Sequence, residues 1–210
     1  MLFLISPAKT LDYDTPLPTT QHSLPQMLPQ AQELITHLRT FTAEEVGALM
    51  KISDKLSALN VDRYQTWTAD HALGGQCRQA MLAFKGDVYH GLDAYSWTGA
   101  MSERAQAQLR ILSGLYGVLR PLDLLRPYRL EMGTRLAYKE HTNLYGYWGT
   151  QVTEVLNADL AQMETPCMIN LASNEYYSVV KPKLIQAPII TPEFKAVSYT
   201  HLTLPTTSRV

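Results

Sequence analysis

Apolar positions along this chain switch between two periods, and the switches mark out short elements. Leu2-Phe3-Leu4-Ile5 is a compact apolar run that predicts a strand ending in the loop Ser6-Pro7-Ala8-Lys9-Thr10. After a connector containing Pro16, Pro18, Pro25 and Pro29, the residues Ala31, Leu34, Ile35 and Leu38 recur at helical spacing. Thr42 with Glu45 three residues on is a capping box, so a second helix starts there and carries Val46, Leu49 and Met50 on one face. Ser53 predicts a further N-cap, with Leu56 and Leu59 on its helix. Gly74-Gly75 breaks the chain before a helix holding Cys77, Met81 and Leu82, and 84–92 is glycine-punctuated strand or loop.

Helix is predicted again over 102–112, capped by Ser102 with Ala105, Leu109 and Leu112 inward. A hairpin follows at 113–120, and Pro121 suits the first position of a short helix, 122–125. Residues 128–132 alternate like a strand, 144–163 form a long amphipathic helix, 167–171 a buried strand, and 184–190 a strand interrupted by Pro188. Strands and helices mix without a regular βαβ rhythm. The expected fold is therefore α/β: a mixed sheet with surrounding helices and an embedded helix–hairpin–helix element, not a plain doubly wound sheet. One domain is expected over 1–196. Residues 197–210 are Thr/Ser-rich with no amphipathic stripe and are similar to a translated sequencing-adapter read-through, so they are set aside as a non-native tail.

Composition narrows the function classes. With 210 residues, 46% of them hydrophobic, the chain can bury a full core, yet no run approaches the ~20 apolar residues of a membrane span. The apolar N-terminus is short and lacks a basic flank, which predicts a strand instead of a signal peptide and a cytoplasmic protein. Cys77 and Cys167 are far apart, and the six histidines include no i,i+4 pair, so neither a disulfide framework, a metal site nor a cofactor is expected, and iron sequestration by the protein itself has little support. Lys plus Arg total 18 against 19 Asp plus Glu, so attraction to nucleic acid must come from a local patch.

Such a patch exists in the sequence. Between Arg104 and Lys139 stand seven basic residues against Asp123 and Glu131. Six of the seven are arginine, whose fork suits phosphate oxygens. Inside it, Gly114 and Gly117 allow backbone to approach a ligand, and Tyr116 and Tyr128 offer stacking rings. Arg110, Gly114, Tyr116, Gly117, Arg120, Arg126 and Arg129 are the candidate nucleic-acid contacts here, joined by Lys9 and Lys85 from the loop ends. The plain alternative is that these arginines solvate a surface or pair with internal carboxylates.

A second class is an enzyme acting on a small phosphorylated or nucleotide-like substrate. Ser6, Lys9, Lys85, Asp87, Glu131 and Asn170 all lie near predicted strand ends, where α/β proteins place crevices. Ser173 serves equally well as an N-cap. No P-loop, nucleophile elbow or Ser/His/Asp order is legible, so no catalytic residue is assigned and an enzyme is the less favoured class.

Several stretches together carry a resemblance. They are Leu4 to Asp12 (LISPAKTLD), Ile52 to Leu56 (ISDKL), Ala83 to Tyr89 (AFKGDVY), Leu112 to Asp123 (LSGLYGVLRPLD), Pro127 to Gly133 (PYRLEMG) and Ile169 to Tyr176 (INLASNEY). On them the chain resembles the YaaA peroxide-stress-resistance family of bacteria from residue 1 to about 195. The resemblance implies a cytoplasmic protein that helps cells survive hydrogen peroxide by limiting free-iron damage. It also implies an α/β fold with a helix–hairpin–helix and a basic cleft that binds DNA, duplex or distorted, without marked sequence preference. Family members continue past this point with a further basic stretch, where this chain carries the 197–210 tail, so its C-terminal part is expected to be missing.

Overall fold

The computed structural model describes residues 1–74 and 76–193. The expected tail, 197–210, lies outside them. β1 (Leu2–Ile5) and β2 (Thr10–Leu11) precede three helices, α1 (Leu28–Leu38), α2 (Ala43–Met50) and α3 (Asp54–Thr66). Then come β3 (Arg78–Gln79), α4 (Ala80–Ala83), β4 (Phe84–Lys85) and α5 (Asp87–Leu92), after which α6 (Gly99–Gln108) runs directly into β5 (Leu109–Ser113). β6 (Gly117–Leu119), β7 (Leu124–Leu125), α7 (Leu144–Trp148), α8 (Gln151–Ala161), β8 (Met168–Asn170), α9 (Asn174–Tyr177) and β9 (Ile189–Ile190) complete the described chain.

The main sheet is mixed, in the order β6-β5-β1-β8-β9, parallel throughout except for the β5–β6 hairpin. β1 lies at its centre, in register Phe3↔Leu109 on one side and Phe3↔Ile169 on the other. The chain leaves β1 toward β5 and later crosses back to β8, which puts a change of winding direction between β1 and β8. Two small ladders, β2–β4 and β3–β7, flank the sheet. The mixed α/β sheet is the fold the sequence predicts. Among the described residues no helix is long and apolar enough to cross a membrane.

Local signals translate faithfully where the physics is local. At α2 both hydrogen bonds of the capping box form, Thr42 N–H to Glu45 Oε2 at 2.7 Å and Glu45 N–H to Thr42 Oγ1 at 3.2 Å. Ala31, Leu34, Ile35 and Leu38 are buried on α1 as their spacing requires. The 144–163 stretch is two helices, because Gly149 takes a positive φ of 48° between α7 and α8.

Elsewhere tertiary contacts override the pattern. On α3 the inward stripe is Ser57, Asn60 and Tyr64, while Leu56 and Leu59 face solvent. Small polar residues let α3 approach α2 closely: a Cβ on Gly47 would stand 2.8 Å from Ser57 Oγ. The expected helix over 102–112 ends at Gln108, and its N-cap is Thr98, whose hydroxyl accepts from Met101 N–H. Leu109-Arg110-Ile111-Leu112-Ser113 is instead a strand buried along its whole length. Its near-continuous apolar run fits a sandwiched parallel strand as well as a helix, and pairing with β1 decides between them.

The helix–hairpin–helix element is thereby corrected. Residues 113–117 join two antiparallel strands, and no helix occurs among the described residues from 109 to 143. Pro121 stands in a turn closed by Arg120 and Asp123, not at the start of a helix. Residues 128–132 do alternate, with Tyr128, Leu130 and Met132 buried, but they lie outside any ladder.

Candidate functional site

Parallel α/β sheets hold ligands in the crevice beyond the carboxyl ends of their strands, where winding direction changes. Here that place is the gap between the loops after β1 and β8. Ser6 and Ser173 join across it: Ser173 N–H donates to Ser6 Oγ at 2.9 Å, and Ser6 Oγ donates on to Ser173 Oγ at 3.2 Å. Tyr89 pins the same loop by donating to the Ser6 carbonyl at 2.9 Å. The Asn170 side-chain oxygen accepts from Ala172 N–H at 3.0 Å, which makes it a shaper of the β8 loop.

Charge gathers around one carboxylate. Glu131 takes Lys9 Nζ on one oxygen at 3.0 Å and Arg129 Nη2 on the other at 2.9 Å. Beside it is a cavity of about 20 Å³ lined by Lys9, Phe84, Tyr128, Arg129, Glu131 and Tyr176, room for a single water. Glu131 also lines a polar cleft of about 550 Å³ with Lys51, Gly133, Thr134, Arg135 and Glu175. That volume lies within the ordinary range for small-molecule sites. Glu175 is tied to the wall by Gly133 N–H at 2.9 Å.

Lys85 stands opposite Thr10 in the β2–β4 pair, one residue from Lys9, and its amine lies 3.9 Å from Asp12. The backbone N–H of Thr15, with further hydrogen bonds from the Thr15 hydroxyl and Asp14 N–H, holds the Asp12 carboxyl below its usual range against the opposing effect of burial. Of the expected enzyme-like set, Lys9 meets Glu131 in an ion pair, Ser6 in the loop after β1 is joined to Ser173, and Lys85 faces Asp12. Asp87 lies at the start of α5, exposed and apart from the cleft.

The arginine-rich stretch does not form one surface. Arg110 is buried, with Nε on Asp159 at 2.7 Å and Nη1 on the carbonyls of Gln106 and Leu109. Arg120 is clamped to Asp123, and Lys139 reaches Glu33 on α1 at 2.8 Å. Arg126 spends its two terminal nitrogens on Gln76 and the Asp70 carbonyl. Tyr116 is wholly buried and Tyr128 nearly so, which excludes both as base-stacking platforms. Gly114 backs onto the Leu130 carbonyl, and Gly117, at φ 65°, packs against Met27 and Trp148. Both glycines admit protein, not ligand. The residues that do face the crevice from this stretch are Arg129 and Arg135.

Tyr116 instead organises a buried network. Its hydroxyl accepts from Trp67 Nε1–H at 2.9 Å and Arg126 N–H at 3.1 Å, which leaves its proton for His71 Nε2 at 3.0 Å. His71 must then be neutral, with Nδ1–H donating to the Ala69 carbonyl. Burial pushes His71 down to about 4. Because this lies below the unfolded value near 6.5, stability from a neutral His71 is present above that pH and is lost as pH falls toward 4. Unfolding free energies at pH 7 and pH 4 should differ by an extra ~2–3 kcal/mol in the wild type, a term missing in His71→Gln. Equal pH dependence in both proteins would refute the network. Burial also pushes the Cys77 thiol up, which favours its unreactive protonated form.

Sequence reasoning passed over Lys51, Arg63 and Arg78. Lys51 ends α2 in a left-handed conformation (φ 54°), a geometry that a C-terminal cap position signals only weakly. Arg78 is buried against Asp12, Tyr95 and the Thr15 carbonyl, which no local pattern announces.

Comparison with known proteins adds an independent line. A family model described as peroxide stress protein YaaA matches residues 1–204. A UPF0246 protein of Shewanella woodyi is 52% identical over 195 residues, covering 93% of this chain and 76% of its own. The UPF0246 protein IL2146 of Idiomarina loihiensis is 53% identical over 195 residues, covering 93% and 75%. A UPF0246 protein of Hahella chejuensis is 53% identical over 194 residues, covering 92% and 75%.

Proposed function

Because this chain belongs to the peroxide stress protein YaaA family, we propose that it serves the peroxide response by binding DNA through the crevice, without sequence readout, and so limits free-iron damage in the cytoplasm. One observation carries this reading: Lys9, Lys51, Lys85 and Arg135 all expose their cationic ends, and Lys9, Lys51 and Arg135 line cavities that share Glu131. Phosphate contacts of this kind position a backbone and carry no base information. The hairpin plays no direct part in the proposed contact.

Four phosphate contacts give a salt slope near −3.6, so affinity for duplex or bubble DNA should fall about 100-fold between roughly 50 and 200 mM salt. Lys9→Ala and Arg135→Ala should each weaken unrelated sequences alike and lower that slope by about 1. Fluorescence anisotropy with labelled DNA measures both. An affinity indifferent to salt removes the proposal.

A second reading has its own observation. The crevice sits at the switch point of the sheet and its cleft has the size of a small-ligand site, which favours a small phosphorylated or nucleotide-like substrate. Saturable binding of a mononucleotide together with no measurable DNA affinity would select it.

A further inference from the structure

The main sheet is covered unevenly. In register, Leu109, Phe3, Ile169 and Ile190 follow one another across β5, β1, β8 and β9, so their side chains share one face. Along that row exposure rises from 8% at Leu109, through partly buried Phe3 and Ile169, to 51% at Ile190. Leu2, Leu4 and Met168, which point the other way, are wholly buried. Parallel sheets occur with both faces covered, because crossover helices lie on each side of strands that are apolar on both. An apolar row that grows more exposed toward one edge marks a place where a covering element belongs.

The surface there is a groove. Between α6 and the end of β8 lies an open cleft of about 490 Å³ whose lining includes Phe3, Ile5, Trp97, Met101, Leu109 and Leu171. Met101 and Leu171 are 50% and 42% exposed on its walls. A contiguous apolar surface of this kind marks a contact with another polypeptide element.

Two observations say which element. The relatives are longer than the part they share with this chain: 195 matched residues make up 76% of the Shewanella woodyi protein, which leaves about a quarter of it outside the match. The chain also leaves the sheet at the exposed end of the row, since β9 is the outermost strand on that side. Met1, by contrast, enters at the sheet's centre, with its amine on the Thr165 carbonyl at 3.4 Å. A segment following β9 therefore starts beside the uncovered row. A helix about 10 Å wide spans two strand spacings of about 4.8 Å, so one crossover helix is enough to reach the groove.

We infer that the groove between α6 and β8 is the docking site of an amphipathic helix from the segment that the longer relatives carry beyond β9, its apolar stripe seated on Phe3, Met101 and Leu171. The inference is independent of what the crevice binds.

The test joins the unmatched segment of the Shewanella woodyi protein to Glu193 of this chain and compares the product with the 210-residue chain. Burying the groove walls should raise Tm by about 5 °C or more. Met101→Cys and Leu171→Cys, each made in both proteins, should react with a maleimide on the order of 10-fold more slowly in the longer one. Leu59→Cys, exposed on α3, should keep its rate. Met101→Glu should leave the shorter chain's stability within ~0.5 kcal/mol, as exposed changes do, and cancel the Tm rise of the longer one. The same segment added to the 210-residue chain as a separate peptide should protect the same two cysteines, which covers the case of a joined protein that does not fold. No protection at 101 and 171 in either format, or slowing at 59 alone, overturns the inference. Sedimentation tests a competing occupant: a dimer that Met101→Glu dissolves and that persists in the longer protein would give the groove to a second copy of the chain and overturn the helix.

Discussion

Arg120→Ala is expected to lower stability by about 3–5 kcal/mol and to act on folding before it acts on any ligand. Asp123 is completely buried, and its carboxylate accepts from Arg120 N–H at 2.8 Å, Arg120 Nη2 at 2.8 Å and Ser23 Oγ at 2.6 Å. The Asp123 backbone also binds Ala80 N–H, and Arg120 Nη2 holds the Leu24 carbonyl, so the pair fastens the turn after β6 to both the N-terminal connector and α4. Removing the guanidinium leaves a carboxylate in the interior with its main counter-charge gone. Urea unfolding gives the loss directly. A double-mutant cycle with Asp123→Ala should show strong coupling, the double variant being much less damaged than the sum of the singles. If Arg120→Ala stays within ~0.5 kcal/mol of wild type, as ordinary surface changes do, the pair is not structural and the arginine returns to the list of free cations.

Gly117→Ala is expected to be comparably damaging, about 3–4 kcal/mol. The residue holds φ at 65°, where a Cβ costs roughly 1–2 kcal/mol. That Cβ would also stand 2.6 Å from Met27 Sδ and 3.0 Å from the Trp148 ring, and overpacking of this kind adds roughly 1–3 kcal/mol. Methionine can shift, but Trp148 is fixed by its indole N–H to the Gly114 carbonyl at 3.0 Å. The loss should appear in thermal unfolding whether or not DNA or phosphate is present. Wild-type stability in Gly117→Ala, coupled with lost anion binding, would mean that the glycine serves a ligand after all.

The two expectations reassign residues that a sequence alone groups together. Arg110, Arg120 and Arg126 are consecutive cations in one basic stretch, and that much is legible from the chain. Their directions are not. Arg110 turns to Asp159 on α8, 49 residues away in sequence, and Arg126 to the loop at Asp70, 56 residues away. Lys9 and Glu131, 122 residues apart in sequence, meet for the same reason. Only the packing of β1, the 126–133 segment and α9 brings them within hydrogen-bond distance.

What the chain determined by itself is whatever a few neighbouring residues can satisfy on their own. The Thr42–Glu45 capping box and the α1 stripe need no distant partner, because cap geometry and side-chain period act within one or two turns. The tertiary structure alone decided that Leu109–Ser113 is strand instead of helix, that Gly114 and Gly117 turn a β-hairpin, and which arginines remain available to an anion. Strand pairing and charge pairing are both satisfied by groups far off in sequence, and local periodicity carries no information about where those groups arrive.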